Sequence, residues 1–171
     1  MKIKENCIEI YKKAFGEDAI FTQRLFDICF NNCRYVLYEN EVASFCFLLP
    51  CRLVNEKESI DAFYVFAVAT KEELRGRGFM KNLFYQIENE TNLPLILRPA
   101  NENLVVLYSK LGFKKCSANA LNKGEIELLP VDSYELLVNG EEDIEPNPFT
   151  VMFKGVNPTD YENIYFPFSM P

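Results

Sequence analysis

The run IDAFYVFAVAT, residues 60–70, constrains the fold more than any other stretch. It is long, rich in Phe, Val and Tyr, and shows no apolar–polar alternation. A strand with one wet face alternates; a strand without alternation is buried on both faces. The run therefore reads as the central strand of a sheet that must be covered on both sides.

The flanking sequence supplies the cover. ENCIEIYKKAF, residues 5–15, sets Cys7, Ile8, Tyr11, Ala14 and Phe15 on one helical face, with Gly16 as the stop. A second helix is expected over 19–32, where Phe21, Leu25, Ile28 and Cys29 align. RYVLYENEVASFCFLLPCRLV reads as two strands joined at Glu39–Asn40–Glu41, and residues 55–59 as the next turn. From Gly78, the residues Phe79, Leu83, Phe84 and Ile87 form a helical stripe ending near Asn92. PLILR is a short apolar strand bounded by prolines. NENLVVLYSKL is a helix closed by Gly112, and Phe113 opens another strand. GEIELL reads as a strand, VDSYELLV as a short helix, NGEEDIEPNP as a loop and FTVMFKG as a late strand. The predicted class is α/β (α+β): a mixed, mostly antiparallel sheet with at least one βαβ crossover.

Composition narrows the function. The 171 residues, 49% hydrophobic, suit one globular domain, residues 1–171. No run of about 20 apolar residues is present, so no membrane span is expected. The first residues have charges every few positions and no apolar core of a signal peptide, so a cytoplasmic location is expected. A net charge of -7 disfavours nucleic acid as a partner. The six cysteines form no CxxC pair and read as buried free thiols. There is no histidine. That removes Ser–His and Cys–His nucleophile pairs, an imidazole base and His-ligated metals, and no metal is expected. The remaining chemistry belongs to Tyr, Cys, carboxylates, Lys, Arg and the backbone.

Against that acidic background, LRGRGFMK gathers Arg75, Arg77 and Lys81 around Gly76 and Gly78 where a helix begins. A helix N-terminus presents unpaired N–H donors and the positive end of the macrodipole, so cations there are unfavourable unless an anion joins them. A buried strand, a glycine-bearing loop and a helix is a recurrent phosphate or pyrophosphate cradle. The plainer reading is a solvated basic turn. GxxxxGK[ST] is absent, and Lys81 stands where GxGxxG needs its third glycine, which argues against nucleoside triphosphates and NAD.

These residues carry a resemblance. VATKEELRGRGFM resembles the acetyl-CoA signature of the GNAT N-acetyltransferase superfamily, R/Q-x-x-G-x-G/A, with Arg75 first, Gly78 fourth and Met80 where Gly or Ala is usual. RPANENLVVLYSKLGF, residues 98–113, resembles a second family segment, with Tyr108 and Gly112–Phe113 as in Y-x-x-x-G-F. Both look most similar to the Eis-like branch, some of whose members acetylate aminoglycosides. The resemblance covers residues 5–116, lacks the family's first strand, and matches poorly over 116–171.

The resemblance implies a twisted sheet with helices on both faces, in which the strand at 60–70 splays from that at 94–98. It implies acetyl-CoA as co-substrate, its pantetheine arm on backbone at Val68 and Ala69. Its pyrophosphate would lie on Arg75, Gly76, Arg77, Gly78, Phe79, Met80 and Lys81. Tyr108 would protonate the departing thiolate; the bland reading of Tyr108 is a core aromatic beside Leu104 and Leu107. Eis-like enzymes use the terminal carboxylate as base, here Pro171. Glu58 and Asp61 are other carboxylates near the central strand, more simply read as surface charges. The implied function is acetyl transfer to a primary amine of a small molecule by direct transfer in a ternary complex. The alternatives are an acetyl-CoA-binding sensor or interaction module, and a nucleotide-phosphate binder. The aromatic tail is a candidate contact for a homo-oligomer.

Overall fold

A computed structural model describes residues 2–55, 57–118, 124–128, 149–157 and 164–165. The chain divides into two compact units: Met1–Leu48 with Val65–Asn92, and Leu49–Tyr64 with Leu93–Pro171. Two long strands, β2 (Glu41–Asn55) and β3 (Ser59–Thr70), contribute a part to each.

The first unit opens with helices α1 (Ile3–Phe15) and α2 (Ala19–Cys29), followed by a 3-10 turn at Phe30–Asn32. Gly16 closes α1 as expected, at φ +71° with its N–H on the Lys12 carbonyl at 3.0 Å. Asp18 caps α2 by accepting from the N–H groups of Ile20 and Phe21 at 2.8 and 2.9 Å. The buried faces are rotated from those expected. Cys7, Ile10 and Tyr11 are buried on α1, whereas Ala14 and Phe15 are exposed. On α2 the buried set is Thr22, Leu25, Phe26 and Cys29. The reason is aromatic packing: the Phe26 ring meets Tyr11 at 5.7 Å and Phe47 at 5.1 Å, both edge-on.

β1 (Cys33–Tyr38) pairs antiparallel with β2. Glu39 and Asn40 join them at φ +50° and +66°. Two consecutive positive φ values define the tight turn whose twist suits a hairpin. A 3-10 turn at Glu72–Leu74 follows β3, and helix α3 spans Phe79–Glu90. Leu83, Phe84 and Ile87 are its buried stripe, as the periodicity requires.

The second unit contains β4 (Leu95–Leu97), α4 (Glu102–Lys110), β5 (Lys114–Ala118), β6 (Gly124–Leu128), β7 (Phe149–Lys154) and β8 (Ile164–Tyr165). Its strands are ordered β5-β7-β4-β3-β2-β6-β8. The late strand FTVMFKG inserts between β4 and β5 and pairs antiparallel with both. β3 and β4 run parallel, the mark of a βαβ crossover, and β6 and β8 are also parallel. The β3–β4 ladder has two pairs, Phe63↔Leu95 and Tyr64↔Ile96. Leu95, Ile96, Leu97, Val151, Met152 and Phe153 are buried together as its core strands. The helix expected at 131–138, the loop at 139–148 and most of the tail lie outside the described residues.

Candidate functional site

Three features of the first unit meet around the loop between β3 and α3. The first is the strand's own shape. Ala67 sits inside β3 at φ +54°, a left-handed conformation that costs a residue with a Cβ on the order of 1–2 kcal/mol. Among the described non-glycine residues, Glu39 and Asn40 share positive φ, but they form a turn. A left-handed residue inside a strand re-aims the neighbouring peptide groups, as a bulge does. Val68, next in line, is half-buried and Ala69 is buried. The buried Ser44 hydroxyl donates to the Ala69 carbonyl at 2.9 Å, and the Lys71 N–H bonds the Ala43 carbonyl at 2.9 Å. These bonds pin β3 to β2 on the far side of the kink.

The second feature is the start of α3. Gly78 is the N-cap at φ +85°, no side chain caps the helix, and its first turn has no acid. Its first helical bond runs from the Asn82 N–H to the Gly78 carbonyl at 3.0 Å. The N–H groups ahead of it are those a helix leaves for a cap, water or ligand. Gly76 has φ +74°, and a Cβ built at Gly76 or Gly78 would meet nothing within 4 Å. The glycines therefore answer a backbone need and leave open space beside the helix end. An anionic diphosphate fits such a cradle.

The third feature is charge. Among the described residues no carboxylate pairs with Arg75, Arg77 or Lys81. Lys71, by contrast, is held by Glu41 at 2.5 Å and Glu73 at 3.1 Å, and these partners raise its pKa. Arg75 lines a cleft of about 80 Å³ with Lys13, Lys71, Glu9, Glu41 and Glu72, among charges of both signs. The Arg77 guanidinium instead lies over the Tyr38 ring, 4.7 Å from its centroid, and 5.8 Å from that of Phe79.

In the second unit Tyr108 lies on α4 and is 5% exposed, its ring edge-on to Phe113 at 5.9 Å. Its carbonyl accepts from the N–H groups of Leu111 and Phe113, at 3.0 and 3.1 Å, as α4 ends. Gly112 follows at φ +90°, and the Lys154 amine donates to the Leu111 carbonyl at 2.6 Å, a cation at a helix C-terminus. On the same helix Val105 is buried, Leu104 half-buried and Leu107 exposed. Tyr64 is buried, and burial pushes its phenol pKa up; Arg98 opposes the shift and Tyr108 adds to it. Asp61 is exposed and faces Arg52 at 3.4 Å, and Glu58 is an exposed turn residue whose N–H bonds the Asn55 side chain. Pro171 lies outside the described residues.

Sequence reading thus located Val68, Ala69 and residues 75–81 on one continuous strand–loop–helix. It missed Ala67 and Tyr38. Ala67 has no glycine to announce its conformation, and Tyr38 is remote along the chain.

No protein-family model matches the chain, and no curated protein matches it. Many solved structures do. One is a GCN5-related N-acetyltransferase from Kribbella flavida, at TM-score 0.56 and 16% identity, with 70% of this chain and 34% of that one covered. A GNAT-family putative acetyltransferase from Bacteroides thetaiotaomicron matches at TM-score 0.56 and 15% identity, covering 91% and 82%. Eis1 from Mycobacterium abscessus matches at 0.53 and 14%, covering 68% and 30%. This chain spans about a third of the length of the first structures it matches, and the Eis-like branch is one similarity among several. With its largely antiparallel sheet, its short parallel β3–β4 ladder and its glycine loop into α3, the chain has the fold of the GNAT acetyltransferases.

Proposed function

We propose that the chain is an acetyl-CoA-dependent N-acetyltransferase that acts on a primary amine of a small molecule, by direct transfer in a ternary complex. The observation that carries this reading is the α3 N-terminus: an uncapped helix end, free of acids in its first turn, with Arg75, Arg77 and Lys81 beside it. An anion among those groups would be stabilised by the cations, the free N–H donors and the helix dipole together. Fold alone does not assign chemistry; the loop's glycines, cations and free N–H groups are what point to an anionic cofactor.

When bound, acetyl-CoA supplies the activated acetyl group. The amides of Arg77 to Lys81 and the flanking cations hold its pyrophosphate. The peptide groups of Val68 and Ala69, re-aimed by Ala67, hold the pantetheine arm. Tyr108 donates a proton to the departing thiolate, a role suited to a phenol in a chain without histidine. The Pro171 carboxylate is the proposed base, and the tail the proposed oligomer contact. A cytoplasmic location goes with this reading. Among the described residues no helix is long and apolar enough to cross a membrane.

The second reading, a sensor module that binds acetyl-CoA without turnover, is favoured by the burial of Tyr108 against Phe113. One experiment addresses both. Millimolar acetyl-CoA should raise the melting temperature, because a ligand of the native state stabilises by mass action. Gly78→Val should lose the shift, since valine strains the backbone at φ +85° and its branched side chain enters the open space, and circular dichroism checks that the variant is folded. No shift in the parent chain overturns the cofactor. A shift with no CoA release across a panel of amines selects the sensor.

A further inference from the structure

We propose that Tyr38 is a positioning residue for Arg77, holding its guanidinium ready for the phosphate oxygens of the ligand. The proposal rests on the reading of the loop as the pyrophosphate site and says how one of its cations is prepared for that task.

Tyr38 is the last residue of β1, opposite Glu41 across the two-residue turn. Arg77 stands between two left-handed glycines, at φ +74° and +85°. The two side chains meet in two ways. The guanidinium covers the Tyr38 ring at 4.7 Å, and its Nη2 donates to the Tyr38 hydroxyl at 3.2 Å. The Phe79 ring completes the seat: its centroid is 5.8 Å from the guanidinium, and it meets Tyr38 edge-on at 5.3 Å. Phe79 is the first residue of α3, so the seat stands at the uncapped helix end.

A seated arginine differs from a free one in entropy. An exposed arginine side chain samples many rotamers, a freedom it surrenders on gripping an anion. Here much of that freedom is already surrendered to two aromatic faces. A stack at an exposed site contributes modestly, about as much as the freedom it restricts is worth, so it adds little to folding. Its benefit falls on binding, where pre-ordering lowers the cost. The guanidinium has five N–H donors, and the Tyr38 hydroxyl takes one direction of the fork. No described carboxylate claims the rest. Phosphate oxygens suit that planar fork.

The test is calorimetric titration of the full chain with CoA, and with pantetheine as a phosphate-free probe. The proteins are the parent, Tyr38→Leu, Tyr38→Phe, Arg77→Ala and the Tyr38→Leu/Arg77→Ala double variant, each checked for folding by circular dichroism. Tyr38→Leu should weaken CoA binding roughly 3–10-fold, and Tyr38→Phe, which keeps the ring, should restore most of it. In the Arg77→Ala background Tyr38→Leu should have no further effect, because the two act as one unit. Pantetheine affinity should not move. An equal loss in both backgrounds overturns the proposal, as does a Tyr38→Leu variant that binds CoA more tightly, which would make Tyr38 a competitor of the anion. If the parent fails to bind CoA, the reading of the loop falls and the proposal with it. If Arg77→Ala weakens binding and Tyr38→Leu does not, the proposal alone falls.

Discussion

The Ser44 hydroxyl, fully buried on β2, donates a 2.9 Å hydrogen bond to the Ala69 carbonyl, two residues beyond the left-handed Ala67. The bond satisfies a buried acceptor where the strand leaves regular geometry. Ser44→Ala removes the donor and leaves the carbonyl without it, which costs about 1–3 kcal/mol. Urea denaturation should show that loss with an unchanged slope. A loss below about 0.5 kcal/mol would mean that water replaces the hydroxyl.

Ala67 itself makes a prediction of opposite sign. Glycine takes φ +54° without steric cost, so Ala67→Gly should stabilise by up to about 1 kcal/mol, net of the extra freedom of the unfolded chain. Ala67→Val places a β-branched residue where it is a true outlier and should destabilise by more than 1 kcal/mol, roughly. The pair of denaturation curves should bracket the parent. Matching shifts in one direction would show that packing, not φ, governs this position.

Tyr108→Phe separates catalysis from packing. The ring stays against Phe113, so stability and acetyl-CoA affinity should hardly change. If the hydroxyl protonates the thiolate, kcat falls by roughly 10²–10⁴-fold, the usual contribution of a general acid, with acetyl-CoA binding intact. The loss should shrink at low pH, where buffer supplies the proton. Equal turnover in the two proteins would leave Tyr108 as a packing residue.

The buried thiols predict the alkaline limit. Burial pushes the pKa values of Cys29 and Cys51 from 9.0 up to about 12. Below pH 9 both states keep these protons. Between about pH 9 and 12 the unfolded chain releases them while the native chain does not, so stability falls as pH rises. Denaturation at pH 8, 9.5 and 10.5 should show this decline, and a Cys29→Ala/Cys51→Ala variant should lessen it, the remainder belonging to Cys7, Cys46, Tyr11 and Tyr64, whose pKa values the fold also raises. A decline unchanged in the variant would assign it to other groups. In the native chain at pH 8 both thiols should resist alkylation, since the thiolate is the nucleophile.

Local signals determined much of this protein. The unalternating run at 60–70 is β3, the glycines and basic residues at 75–78 open α3, and the Glu39–Asn40 turn closes a hairpin. Each depends on side-chain periodicity or on backbone freedom within a few residues, and these are written in the residues themselves. Tertiary structure decided the rest. β7 lies between β4 and β5 although Phe149 is far along the chain from both, because strand pairing is set by which apolar faces close the core. Ala67 is left-handed without a glycine, held by bonds such as Ser44 to Ala69 across the neighbouring strand. Tyr38 seats Arg77 across 39 positions of sequence. No propensity at either residue announces that contact. It exists because β1 and the loop before α3 meet in the fold, and its energy is that of a contact between residues distant in the chain.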